Sequence, residues 1–126
     1  MNVALCAAFL EEDLWESRLA AAVFPYKVEL TECNSAKTLL PLLELKPFAL
    51  LIVALNGTAG VEAVRQLRSK APHTPLLWIS DEDYSLFGYR YRVTCFLRRP
   101  LPDAVLRKAV AGCLQQAKMG ENTQAP

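Results

Sequence analysis

Phe48-Ala49-Leu50-Leu51-Ile52-Val53-Ala54, followed at once by Leu55-Asn56-Gly57, is the stretch that decides the fold. An unbroken apolar run of strand length, closed by an Asn-Gly turn, reads as a β-strand buried on both faces. Such a strand belongs in a parallel sheet, because helices returning over both faces are what cover it. Downstream, Val61, Val64 and Leu67 recur at helical spacing, Pro72-His73-Thr74-Pro75 forms a loop, and Leu76-Leu77-Trp78-Ile79 is a second unbroken apolar run. Strand, helix and strand therefore alternate in the middle of the chain.

The alternation extends in both directions. Val3-Ala4-Leu5-Cys6 is a short buried run, and from Glu11 the pattern turns helical, with Trp15, Leu19, Ala22 and Val23 on one face until Pro25. Lys27-Val28-Glu29-Leu30-Thr31 alternates as a half-exposed strand does. Ser35 to Leu45 is a leucine-rich helix that Pro41 is expected to kink or shorten. Asp81 to Arg92 reads as a short helix weakened by Gly88, and Thr94 to Leu97 as a fifth strand. A last helix opens near Pro102 with Leu106, Ala109, Val110 and Cys113 inward. Five strands alternating with five helices predict an α/β, flavodoxin-like, doubly wound parallel sheet. The uniformly apolar first, third and fourth strands belong inside and the alternating second at an edge, which selects the order 2-1-3-4-5. Another doubly wound arrangement of the same elements is the alternative. One domain is expected over residues 1–117, with a disordered polar tail at 118–126.

Bulk properties narrow the function. The 126 residues suit a single domain, 52% of them hydrophobic and 21% charged. A formal net charge of +1 supplies no general attraction to nucleic acid or anionic membrane. The longest apolar run falls far short of the ~20 residues of a membrane span. The start lacks a basic segment and runs into Glu11-Glu12-Asp13, which excludes a signal peptide; these acids read as ordinary dipole partners of a first helical turn. The four cysteines, Cys6, Cys33, Cys95 and Cys113, show no metal-ligand spacing, so reduced structural thiols and a cytoplasmic location are expected. No cofactor is indicated.

Several segments together resemble response-regulator receiver domains, especially those attached to LytTR-type DNA-binding domains, over residues 1 to about 116. Asp81-Glu82-Asp83-Tyr84-Ser85-Leu86 is similar to the family's acidic-Tyr-Ala-Leu helix start. Val93-Thr94-Cys95-Phe96-Leu97-Arg98-Arg99-Pro100-Leu101 is similar to its Ala-x-Asp-Tyr-Leu-x-Lys-Pro segment. Leu106-Arg107-Lys108-Ala109 matches the last helix, while Gly60-Val61-Glu62-Ala63 and Arg65-Gln66-Leu67-Arg68 match the third. The resemblance implies a site at the carboxyl ends of the first and third strands. There the family has an acid pair, a phospho-accepting Asp, a hydroxyl and a Lys around a magnesium ion. Here the acid-pair positions are Ala7 and Ala8, the acceptor position is Ala54, the hydroxyl is Ser80, the Lys position is Arg99 before Pro100, and the aromatic switch position is Phe96. No acid occurs from Met1 to Leu10 or from Leu45 to Val61, so no shift of register restores one. The loop after the third strand is also about two residues shorter than the family pattern.

A degenerate pseudo-receiver follows: no magnesium, no phosphorylation, not an enzyme, and no direct nucleic-acid or membrane binding by this domain. The resemblance implies a cis Arg99–Pro100 bond. The formal charge of the family's positions changes from negative to positive, so Arg99 and Ser80 either form a small anion site or Arg99 pairs with Asp81 or Glu82. A Ser80–His73 pair is not expected, because His73 lies in the loop before the fourth strand and Ser80 follows that strand at the opposite end of the sheet. Tyr84, Phe87, Tyr89, Arg90, Tyr91 and Arg92 form a candidate interface for a protein partner or homodimer. The leading expectation is a signalling module working by protein–protein contact in bacterial two-component and transcription regulation. The alternative is a sensor of a small anionic ligand at the remodelled switch point.

Overall fold

The computed structural model describes residues 1–8 and 15–124, side chains excepted at 16 and 118–124. In chain order the elements are β1 (Asn2–Ala7), α1 (Trp15–Val23), β2 (Glu29–Cys33), α2 (Ala36–Leu45), β3 (Leu50–Ala54), α3 (Gly57–Lys70), β4 (Leu76–Ser80), α4 (Ser85–Arg90), β5 (Cys95–Arg98) and α5 (Asp103–Gln124). The expected alternation is present. The acids Glu11, Glu12 and Asp13 lie outside the described residues.

All strand pairs are parallel and the sheet order is β2-β1-β3-β4-β5. The unbroken apolar runs at β3 and β4 are buried at every position, as strands covered on both faces must be. The edge strands β2 and β5 are only partly covered. Ala7 and Ala54 are register partners, which brings the ends of β1 and β3 side by side.

Side chains alternate between two cores. Val3, Leu5, Ile52, Leu77 and Ile79 face Trp15 and Leu19 of α1 and Leu106, Val110 and Leu114 of α5. On the opposite face Ala4, Leu51, Val53, Leu76 and Trp78 meet Leu39 of α2 and Val64 and Leu67 of α3. The paired β1 and β2 positions Cys6 and Cys33 are buried free thiols, and burial pushes Cys6 up to about 12.

Some boundaries differ from expectation. The helix holding Pro41 is not shortened: Ser35 caps it by accepting from the Thr38 amide, and it continues through Leu45. The fourth helix spans Ser85–Arg90 rather than beginning at Asp81, because Asp83 turns to accept from the Ser85 amide at 3.0 Å. Gly88 does more than weaken it. A Cβ there would lie 3.1 Å from Val93 Cγ2, so glycine lets the helix sit down on the segment entering β5. The backbone of α5 runs through Gln124, where a disordered tail was expected from 118.

Candidate functional site

At the carboxyl ends of β1 and β3 the chain presents methyl groups. Ala54 is 1% exposed and Ala7 8%, and both pack in one cluster with buried Trp15. Ala8 is exposed. A hard divalent cation requires several oxygen ligands, and these three side chains offer none. Among the described residues no group of acids, histidines or cysteines could hold a metal ion. The described residues at this end of the sheet do not fit magnesium.

Arg99 fills the space instead. Its Nη2 donates to the Ala54 carbonyl at 3.0 Å, its backbone N–H donates to the Ser80 carbonyl at 2.8 Å, and its guanidinium stands 5.5 Å from the Trp15 ring centroid. The Trp15 ring also has Arg18 at 5.2 Å, and Arg18 is tied at 2.7 Å to Asp103 on α5. A cation over an indole face is attracted by the ring quadrupole. The expected partnership of Arg99 with Asp81 or Glu82 is not formed. Arg99 leaves Ser80 toward the β3 end, whereas Asp81 turns toward α3.

Asp81 is the residue that sequence reasoning undervalued. Its Oδ1 accepts from the Gly57 amide at 3.2 Å and from the Ser80 hydroxyl at 3.3 Å. Gly57 opens α3 with φ +64, and its N–H, like those of any first turn, has no partner within the helix and stands at a positive helix end, a place that favours anions. The chain thus places its own carboxylate there. Counting Asp81 with Arg99 makes the site formally neutral, not positive as the family positions alone suggested. The signal was visible as an acid directly after Ser80. Ser80, wholly buried, also accepts from the Glu82 amide at 3.4 Å. His73 lies at the other end of β4, as expected.

Below the site, Trp78 carries an aromatic stack. Tyr84 lies parallel to it at 5.6 Å and Phe96 edge-on at 5.2 Å. Phe96 is therefore turned inward, and the Arg99–Pro100 bond is cis as the resemblance implied. The Trp78 indole N–H lies against Gly60 and has no hydrogen-bond partner among the described residues.

The six aromatic and basic residues expected as an interface divide in two. Tyr84 and Tyr91 pack against the inner core, while Phe87, Tyr89, Arg90 and Arg92 face outward. Leu86, at 85% exposed, joins Tyr89, at 88%, on that surface and had not been singled out. The surface is held in place by Arg68 of α3, which donates to the carbonyls of Tyr91 at 2.9 Å and Arg92 at 3.0 Å. The same guanidinium reaches Ala71 and Thr74, so it locks the turn after α4, where Arg92 has φ +55, to the loop after α3.

No family model matches the chain, and no curated protein matches it by sequence. Solved structures match it by fold. The response regulatory domain of protein mrkE from Klebsiella pneumoniae superposes with TM-score 0.74 at 11% identity, covering 94% of this chain and 99% of that one. The REC domain of AraT, a response regulator from Geobacillus stearothermophilus, gives 0.72 at 19%, covering 95% and 97%. An adenylate cyclase structure from Rhodopirellula baltica gives 0.76 at 18%, covering 98% and 93%. With five parallel strands in this order and helices on both faces, the chain has the flavodoxin-like fold of response-regulator receiver domains.

Proposed function

We propose that this chain is a phosphorylation-independent receiver-like module that signals through protein–protein contact, in the cytoplasm and within two-component or transcription regulation. It performs this role without catalysing a reaction. The observation that carries the reading is the self-satisfied switch point: Arg99 on the Ala54 carbonyl and Asp81 on the Gly57 amide. The family's carboxylate positions are methyls at Ala7, Ala8 and Ala54, and the Gly57 amide and Arg99 Nη2 already have partners within the chain. A ligand shifts a conformational equilibrium only through its differential affinity for the two states, so this domain signals by a partner or from one fixed state. The contact surface is the outer side of α4, with Leu86, Phe87, Tyr89, Arg90 and Arg92, supported from within by Tyr84 and Tyr91. The anion-sensor reading loses ground because the Asp81 carboxylate already takes the loop donor.

The test is incubation of the protein with a small phosphodonor and magnesium. No hydroxylamine-labile adduct is expected by mass spectrometry, and Ala54→Asp alone gains none, since Ala7 and Ala8 remain methyls. An aspartyl-phosphate on the unaltered chain would overturn the proposal.

A further inference from the structure

Charge is ordered along α4 and the turn before it. Asp81, Glu82 and Asp83 precede the helix, Leu86, Phe87 and Tyr89 form its outer side, and Arg90 and Arg92 follow. Every one of these residues is exposed. The acidic end is fixed in place: Asp83 accepts from the Ser85 amide at 3.0 Å, and Arg98 donates to the Asp81 carbonyl at 3.4 Å. The basic end is fixed as well. Arg68 donates to the Arg92 carbonyl at 3.0 Å, and the Arg90 guanidinium lies 5.7 Å from the Phe87 ring centroid. Neither Asp83 nor Arg90 forms a salt bridge among the described residues.

A surface that is acidic at one end, apolar in the middle and basic at the other is complementary to itself when turned around. Leu86, Tyr89 and Arg90 are neighbours at i, i+3 and i+4, as are Phe87 and Arg90 at i and i+3. The midpoint between Asp83 and Arg90 falls between Leu86 and Phe87. Two such segments laid antiparallel about a two-fold axis at that midpoint bring Leu86 of each to Phe87 of the other. The same turn brings Asp83 of each to Arg90 of the other, as a two-fold contact requires. A uniformly acidic or uniformly basic partner is repelled at one end, whereas a second copy is matched at both. A formal net charge of +1 sets up no general repulsion between two copies.

We propose that the outer side of α4 pairs with the same surface of a second copy of this chain, antiparallel about a two-fold axis, with reciprocal Asp83–Arg90 ion pairs flanking Leu86 and Phe87. The pairing rests on the reading of this surface as a protein contact and names its occupant. A helix this short covers little area, so the dimer is weak and assembles at about 0.1 mM, in the class of transient contacts.

The experiment is sedimentation equilibrium of the full chain over a concentration series, alongside amide chemical shifts. The wild type should dimerise, with concentration-dependent shifts centred on residues 82–92, and raising salt from about 0.05 to about 0.5 M should weaken association several-fold. Arg90→Glu and Asp83→Arg should each weaken self-association about tenfold or more, because each sets like charges opposite one another. Mixing the two variants should restore a dimer, since Asp83 of the first then meets Arg90 of the second, and the two new side chains pair as well. Should Asp83→Arg loosen the turn at Ser85, seen in its amide spectrum, Arg90→Glu carries the test alone, its side chain being exposed. A wild type still monomeric at about 1 mM overturns the pairing and leaves the surface to a different protein. Undiminished dimerisation of Arg90→Glu, or shifts centred away from α4, overturns it equally. So does a mixture of two folded variants that stays monomeric. Failure of the underlying reading shows separately, as a phosphoryl adduct on the unaltered chain.

Discussion

The carboxyl end of the sheet and the outer side of α4 have gone opposite ways. At the first, the side chains ending β1 and β3 are methyls, and the polar groups that remain bond to the chain itself. At the second, Leu86 and Tyr89 stand almost fully in water. An external ligand gains little from donors and acceptors already bonded, since it must first displace the internal partner. Exposed apolar area gains about 25 cal/mol per Å² when a partner covers it. The difference teaches that polar groups at one end of the sheet are spent within the chain, while apolar side chains on the outer side of α4 are left open to contact. Trp78 joins the two regions, since its indole lies against Gly60 in the first turn of α3 and stacks with Tyr84 and Phe96.

The sharpest way to break the comparison is to remove that joint. Trp78→Ala should destabilise the fold by about 3–5 kcal/mol in urea unfolding, because a wholly buried indole leaves a large cavity. Amide exchange should quicken first across α4 and residues 93–96. Quickening confined to β1 instead would mean that the α4 surface does not depend on the stack. Gly60→Ala comes next. A Cβ there would lie 2.1 Å from the Leu55 carbonyl oxygen and 3.1 Å from Trp78 Nε1, so the loop after β3 must shift, at a cost of about 1–3 kcal/mol. An unchanged melting curve would show that this loop is not tightly held.

The buried thiols predict a pH dependence. Burial raises Cys6 and Cys113 from 9.0 to about 12, so both stay protonated in the fold after the unfolded chain has begun to ionise. The unfolded state then holds fewer protons, and stability falls as pH rises from about 9 toward 12. Cys113→Ala should make that decline shallower than in the wild type when unfolding is followed at fixed urea. Equal slopes would deny Cys113 a share in it. The smallest stability effect belongs to the open surface. Leu86→Ala with Tyr89→Ala should alter stability by no more than about 0.5 kcal/mol, since neither side chain is buried. The same pair should reduce association with a partner or second copy, read by sedimentation and pull-down. Full retention of every contact would mean that this surface is merely exposed.

Much of this was legible along the chain. The runs at β3 and β4 announce burial on both faces because no polar residue interrupts them, and the weaker patterning of β2 marks an edge. The methyls ending β1 and β3 were legible as well, since no acid occurs from Met1 to Leu10 or from Leu45 to Val61. The helix starting at Ser85 was less so. Asp81, Glu82 and Asp83 resemble a first helical turn, but Asp81 and Asp83 spend their side chains on Gly57 and Ser85.

By itself, then, the sequence determined the strand order, the methyls at the old acid positions and the aromatic content of the segment around α4. Period and composition are local properties, and burial on a sheet follows from them directly. Only the tertiary structure decided that Arg99 reaches Ala54 rather than the neighbouring acids, that Asp81 caps the loop at Gly57, and which aromatic rings face solvent. Those outcomes depend on groups 45 and 24 residues apart meeting in space, where a hydrogen bond forms with whichever partner the fold brings within about 3 Å.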